Sequence, residues 1–62
     1  MTHTFGEALR ERRKVRGVTI VELAEKTGLS QADLVRTELG QAELTAQEMQ
    51  KIEGFLRRQK IL

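Results

Sequence analysis

The sequence predicts a compact all-α domain of four to five helices that takes in residues 1–62 as one unit. The chain contains no proline and five glycines, three of which stand where helices are expected to end. Four Ser/Thr residues are each followed by Asp/Glu three positions later, the pattern that begins a helix. Apolar residues recur at spacings of three and four, which is the period of an amphipathic helix.

The composition excludes several classes of function. The chain has no cysteine and a single histidine, His3, so neither a disulfide nor a metal site is expected. No apolar run approaches the roughly 18 residues of a membrane span, and no signal-peptide pattern precedes the domain. Catalytic motifs are also absent. We therefore expect a cytoplasmic protein that is not an enzyme and has no cofactor, membrane contact or small-molecule substrate.

The first helix is predicted from about Phe5 to Arg16. Thr4 and Glu7 fit its N-cap and its third residue, and Gly17 fits the stop. Spacing of i, i+3 and i+4 predicts the residues of its buried stripe, which are Phe5, Ala8, Leu9 and, at its end, Val15.

Residues 19–40 form the central unit of the chain. Thr19 caps one short helix, which Gly28 ends, and Ser30 caps a second helix, which Gly40 ends. The apolar residues expected inside this unit are Leu23, Ala24, Leu29 and Leu34. Two short helices joined by a glycine turn, with a small alanine at their crossing, predict a helix-turn-helix.

The last helix is predicted at about residues 46–59, after a loop at 41–45 from which Leu44 enters the core. Thr45 and Glu48 supply its cap. Its apolar face should close the core against helix 1 through Met49, Ile52, Phe55 and Leu56. Gly54 inside this helix costs about 1 kcal/mol relative to alanine, which leaves a bend or a break open. Ile61 and Leu62 fit a frayed end, further packing on helix 1 or a homodimer contact.

The chain resembles the lambda-repressor-like, or Cro-type, helix-turn-helix domains from Phe5 to about Leu56. The residues in the register of that family are Ala24, Gly28, Leu34, Glu38 and Gly40. Arg13 followed by Gly17, ahead of Thr19, is similar to the end of the family's first helix. The resemblance implies an ion pair between Arg13 and Glu38, and dimers through the last helix are frequent among relatives.

The resemblance also implies sequence-specific binding of double-stranded DNA, with a recognition helix at about 31–39 in the major groove. Four residues are expected to read bases: Gln31 at adenine, Ala32 at a thymine methyl, Asp33 at cytosine and Arg36 at guanine or a phosphate. Asp33 fits helix capping equally well. The residues expected at the DNA backbone are Thr19, Ile20, Ser30, Thr37, Gln41 and Arg10.

The charge distribution favours DNA only in part. Residues 1–17 carry five basic and two acidic residues, residues 18–45 two and five, and residues 46–62 four and two, which gives net charges of +3, −3 and +2. The segment that should face DNA is therefore acidic, while its flanks are basic. The basic side chains of helix 1 fit a solvated face or phosphate contacts: Arg10, Arg12, Lys14 and Arg16.

Departures from the family pattern keep a second function open. Ile20 stands where relatives often carry a glutamine that touches phosphate, Leu39 where a polar residue is usual, and Thr37 where a buried aliphatic residue is usual. Apolar surface around the recognition helix, from Ile20, Val21, Val35 and Leu39, also fits a protein-interaction module that does not bind DNA.

The origin of the chain is left open. The regular caps and the lack of cysteine and proline are typical of designed sequences as well. A natural regulator of transcription, associated with the nucleoid, and a designed DNA-binding protein are thus both consistent with the sequence.

Overall fold

The computed structural model describes residues 4–61. This range contains four α-helices and no strand: α1 (Phe5–Val15), α2 (Ile20–Thr27), α3 (Gln31–Glu38) and α4 (Ala46–Arg58). The predicted all-α class is confirmed. Helices α1, α3 and α4 each end one residue earlier than predicted.

A hydroxyl side chain begins each of the four helices. The side chains of Thr4, Thr19, Ser30 and Thr45 accept a hydrogen bond from the backbone N–H three residues on, at 3.1 to 3.4 Å. At Thr45 the capping box is complete, because its own N–H donates to Glu48 Oε1 at 2.9 Å. The three predicted stops are confirmed by left-handed φ angles of 66°, 74° and 78° at Gly17, Gly28 and Gly40.

Helix α2 lies at the centre of the packing. It packs against both α3 and α4, whereas α1 packs mainly against α3. The apolar face of α4 meets α2, and its Ile52 and Leu56 share one buried cluster with Leu9 of α1, in line with the predicted closure of the core. The buried aliphatic core is Leu9, Val18, Leu23, Ala24, Leu34, Ile52 and Leu56, with Ile20, Leu29, Leu44 and Phe55 packed against it.

The buried face of α1 also differs from the prediction. Leu9 is buried, but Phe5 and Val15 are 41% and 43% exposed, and Ala8 is exposed as well. Gly6 is buried against α3 instead. A Cβ added at this position would lie 2.0 Å from the carbonyl oxygen of Thr37. The backbones of α1 and α3 approach too closely at this point for any side chain, so the neighbouring Phe5 is turned outward.

Two arginines of α1 bind α4 instead of forming the predicted solvated face. Arg12 forms a two-pronged ion pair with Glu53, with Nη2 donating to Oε2 at 2.7 Å. These hydrogen bonds lower the pKa of Glu53 and raise the pKa of Arg12. Arg16 donates to the carbonyl oxygens of Leu56 at 2.9 Å and Arg12 at 3.0 Å. Arg16 thereby donates to carbonyl oxygens in the last turns of both α1 and α4.

The C-terminal helix is continuous through Gly54, so the break into two short helices does not form. Helix α4 ends at Arg58, and Ile61 beyond it is 67% exposed. Leu62 and His3 lie outside the described residues. The homodimer contact stays a prediction.

Candidate nucleic-acid interface

Helix α3 has one buried and one exposed face. Its buried residues are Leu34, Thr37 and Glu38. All four residues predicted to read bases are exposed: Gln31, Ala32, Asp33 and Arg36. Because side chains three and four residues apart share a helix face, an exposed stripe runs along α3 through Ala32, Val35, Arg36 and Leu39. The outward face of α3 therefore carries Arg36 beside the apolar side chains of Ala32, Val35 and Leu39.

The predicted ion pair between Arg13 and Glu38 is confirmed, and it fixes the end of α3 to α1. Arg13 Nε donates to Glu38 Oε2 at 2.8 Å, and Nη2 donates to Oε1 at 2.9 Å. The third donor, Nη1, reaches the carbonyl oxygen of Val18 at 2.8 Å. The side chains of Arg13 and Glu38 are only 11% and 7% exposed. A two-pronged pair shielded from water holds one geometry, so this contact sets the position of α3 on the domain.

Asp33 and Arg36, both predicted to read bases, form an ion pair with each other on the surface of α3. Ser30 caps the backbone N–H of Asp33, and the Asp33 carboxylate meets the Arg36 guanidinium. The two side chains are 54% and 55% exposed, and a pair so open to water costs little to separate. Both groups therefore remain available to a ligand that approaches α3.

Three of the residues predicted at the DNA backbone, Thr19, Ile20 and Ser30, lie at the beginnings of α2 and α3. Thr19 and Ser30 are exposed N-caps, and Ile20 is half-buried in the first turn of α2. The first amides of each helix point out along its axis and carry the positive end of the helix dipole. Thr19, Ile20 and Ser30 thus bring two amide-rich helix ends to the surface.

Thr37 and Gln41 are placed differently from each other. Thr37 is 2% exposed, and its hydroxyl donates to the carbonyl oxygen of Asp33 at 2.8 Å. That hydroxyl lies inside the domain, and the structure does not bring it to the exposed face of α3. Gln41 is exposed, while its backbone N–H donates to the carbonyl oxygen of Arg36 at 2.8 Å.

A groove joins Arg10 to the exposed face of α3. Its volume is about 520 Å³, and Arg10, Ile20, Val35 and Leu39 are among the residues that line it. Val21, Val35 and Leu39 are 48%, 42% and 66% exposed, which confirms the apolar surface predicted around this helix. The structure therefore places Arg10 of α1, together with Glu7 and the paired Arg13, beside an apolar strip of α2 and α3.

No group of three or more His, Cys, Asp or Glu side chains in residues 4–61 could hold a metal ion. No helix in the same range is long and apolar enough to cross a membrane.

Comparison with models of protein families matches residues 9–59 to the helix-turn-helix family. Comparisons with curated proteins and with solved structures gave no significant match. The match covers α2, α3 and α4 entirely and includes both partners of the Arg13–Glu38 pair. The domains of this family bind DNA and are not enzymes. The chain belongs to the lambda-repressor-like, or Cro-type, helix-turn-helix family of DNA-binding domains.

Proposed function

We propose that this chain binds double-stranded DNA sequence-specifically with α3 in the major groove. One observation carries the proposal: α3 is fixed from behind by the Arg13–Glu38 pair, while Gln31, Ala32, Asp33 and Arg36 all face outward. A rigidly held helix with polar side chains on one free face suits the major groove, which admits an α-helix and displays a distinct pattern for each base pair.

Base reading falls to the exposed residues of α3. Arg36 donates to guanine, with Asp33 beside it as its orienting partner or as an acceptor for cytosine N4. Gln31 forms a two-pronged contact with adenine, and Ala32 contacts a thymine methyl. Each two-pronged contact contributes about 1–3 kcal/mol of discrimination against the wrong base.

Backbone contacts fall to the helix ends and to Arg10. The first amides of α2, near Thr19 and Ile20, and those of α3, near Ser30, donate to phosphates. The exposed side chain of Gln41 and the Arg10 guanidinium add contacts on either side. Thr37 has no part in this proposal because its hydroxyl is buried.

The corresponding role is regulation of transcription in the cytoplasm, at the nucleoid, or use as a designed DNA-binding protein. A homodimer through α4 would bind a pseudo-palindromic site, and a monomer would bind a short asymmetric one. The symmetry of the bound site separates these two states.

A protein-interaction module without DNA binding is the second candidate, and the exposed Val21, Val35 and Leu39 favour it. Salt dependence distinguishes the two functions. Phosphate contacts make affinity fall steeply with ionic strength, whereas an apolar protein interface is nearly indifferent to it.

The proposal is tested by comparing Arg36→Ala and Arg10→Ala on a cognate duplex and on random DNA. Arg36→Ala should weaken the cognate site far more than random DNA, because it removes a base contact. Arg10→Ala should weaken both alike, because phosphates are the same in every sequence. Equal losses for both variants on both DNAs would remove Arg36 from base reading.

A further inference from the structure

A second groove, between α2 and α4, concentrates positive charge. Its volume is about 500 Å³, and three cations line it: Lys26 from the last turn of α2, and Lys51 and Arg58 from α4. No carboxylate is among its lining residues. The groove shares no residue with the face of α3 that is proposed to read bases.

The carboxylates of α4 are engaged outside this groove, and neither carboxylate of α2, Glu22 or Glu25, lines it. Helix α4 has two, of which Glu48 accepts the N–H of Thr45 and Glu53 pairs with Arg12. In residues 4–61, no ion pair involves Lys26, Lys51 or Arg58. By contrast, Arg13 binds Glu38 and Arg36 binds Asp33. Three cations without an ion-pair partner in residues 4–61 therefore line the same groove between α2 and α4.

The spacing of the cations fits a chain of anions better than a single one. Lys51 and Arg58 are seven residues apart, which corresponds to a rise of about 10.5 Å along α4. One phosphate group does not span that distance, whereas each DNA strand supplies a charge about every 3.4 Å of the helix axis. Cations that converge in a groove also raise its local potential and draw in a polyanion.

We infer that the groove between α2 and α4 binds backbone phosphates of duplex DNA through Lys26, Lys51 and Arg58. This inference rests on the proposed function, because both take duplex DNA as the partner. Contacts to phosphates carry no base information, so this groove adds affinity for every sequence and leaves discrimination to α3. Two of the three cations are lysines, whose compact charge suits phosphate contact without a fixed geometry.

The test compares two triple variants that remove the same charge. The groove variant is Lys26→Gln, Lys51→Gln, Arg58→Gln, and the control is Lys14→Gln, Arg57→Gln, Lys60→Gln. All six side chains are exposed, so both variants should fold, which thermal unfolding checks. The affinity of each for a random-sequence duplex is then measured over a series of salt concentrations. For the groove variant, the magnitude of the slope of log K against log salt should fall by about 2–3, at about 0.9 per phosphate contact. For the control variant, it should fall by less than about 1.

Three outcomes would overturn the inference. Equal losses of slope in both variants would mean that the DNA responds to the overall charge of the domain and not to this groove. An unchanged slope in the groove variant would mean that the three cations do not contact phosphates. Competition by poly-glutamate as strong as that of duplex DNA at equal charge would assign the groove to an acidic polypeptide. Failure of the proposed base reading by α3 can be told apart from failure of this inference. In that case the protein would not discriminate between duplexes, but the groove variant would still lose slope.

Discussion

Arg13 and Glu38 form a two-pronged ion pair that joins α1 to the last residue of α3, with donor–acceptor distances of 2.8 and 2.9 Å. Both side chains are close to fully buried, and Arg13 also holds the carbonyl oxygen of Val18. The pair thus links three parts of the chain: α1, the segment before α2, and the end of α3. Since α3 presents the candidate base-reading residues, this contact connects the stability of the domain to its proposed function.

Glu38→Ala should destabilise the domain by about 3–5 kcal/mol, because it leaves the Arg13 guanidinium buried without a partner. At about 0.05–0.15 kcal/mol per residue, a chain of 62 residues has only about 3–9 kcal/mol in total. The variant should therefore lose a large part of the stability of the domain. Urea unfolding followed by circular dichroism measures the difference.

The double variant Arg13→Met, Glu38→Leu tests whether the instability of Glu38→Ala comes from the unpaired buried charge of Arg13. Replacing both charges with apolar side chains of similar size is often neutral or stabilising, so most of the lost stability should return. A double variant as unstable as Glu38→Ala alone would contradict this account of the single variant.

Gly6→Ala and Gly54→Ala should change stability in opposite directions. A methyl group at Gly6 would lie 2.0 Å from a backbone oxygen of α3, and overpacking of this kind costs about 1–3 kcal/mol. At Gly54 nothing lies within 4 Å of the added Cβ, so the better helix propensity of alanine should stabilise by up to about 1 kcal/mol. Thermal unfolding of both variants beside the wild type checks the signs. Stabilisation by Gly6→Ala would show that α1 and α3 do not meet this closely.

Stability should depend on pH through Glu53. Hydrogen bonds from Arg12 lower the pKa of this carboxyl in the folded state, below about 4.3 for a glutamate in an unfolded chain. Its contribution is thus fully present above that unfolded value and is lost as the pH falls through the lower, folded one. Unfolding midpoints of the wild type and Glu53→Gln should differ at pH 7 and converge in acid. A difference that stays constant down to pH 2 would argue against this linkage.

Asp33→Ala should raise affinity for random DNA and lower discrimination. The change removes a negative charge from the DNA-facing side and frees Arg36 from its partner, so Arg36 loses a fixed orientation toward its base. The Ser30 cap survives, because it bonds the backbone N–H of residue 33. Electrophoretic mobility shifts on the cognate duplex and on a duplex altered at the guanine measure the ratio of the two affinities, which should fall by up to about 5–150-fold, as expected for about 1–3 kcal/mol. An unchanged ratio would mean that Asp33 does not orient Arg36.

Local signals in the sequence predicted the elements of the fold well. The caps at Thr4, Thr19, Ser30 and Thr45 and the left-handed glycines act within one turn of chain, so their residue types nearly suffice to identify them. The Arg13–Glu38 pair lies 25 residues apart in sequence and was accessible only through the family resemblance.

Contacts that depend on how the helices meet were not predictable in the same way. No local signal in the sequence marks Gly6, and only the approach of α3 explains why it is buried where Phe5 is not. Arg12 and Arg16 had the spacing of a solvated face, yet their partners are on α4, about 40 residues away. At the candidate site, the same limit applies to the burial of Thr37.

Selection from a randomised double-stranded DNA library tests most directly whether α3 reads DNA. The wild type should enrich a defined motif, and the double variant Gln31→Ala, Arg36→Ala should lose it while keeping its thermal stability, since both side chains are exposed. No enrichment by the wild type at low salt, or the same motif enriched by the double variant, would contradict sequence reading through α3.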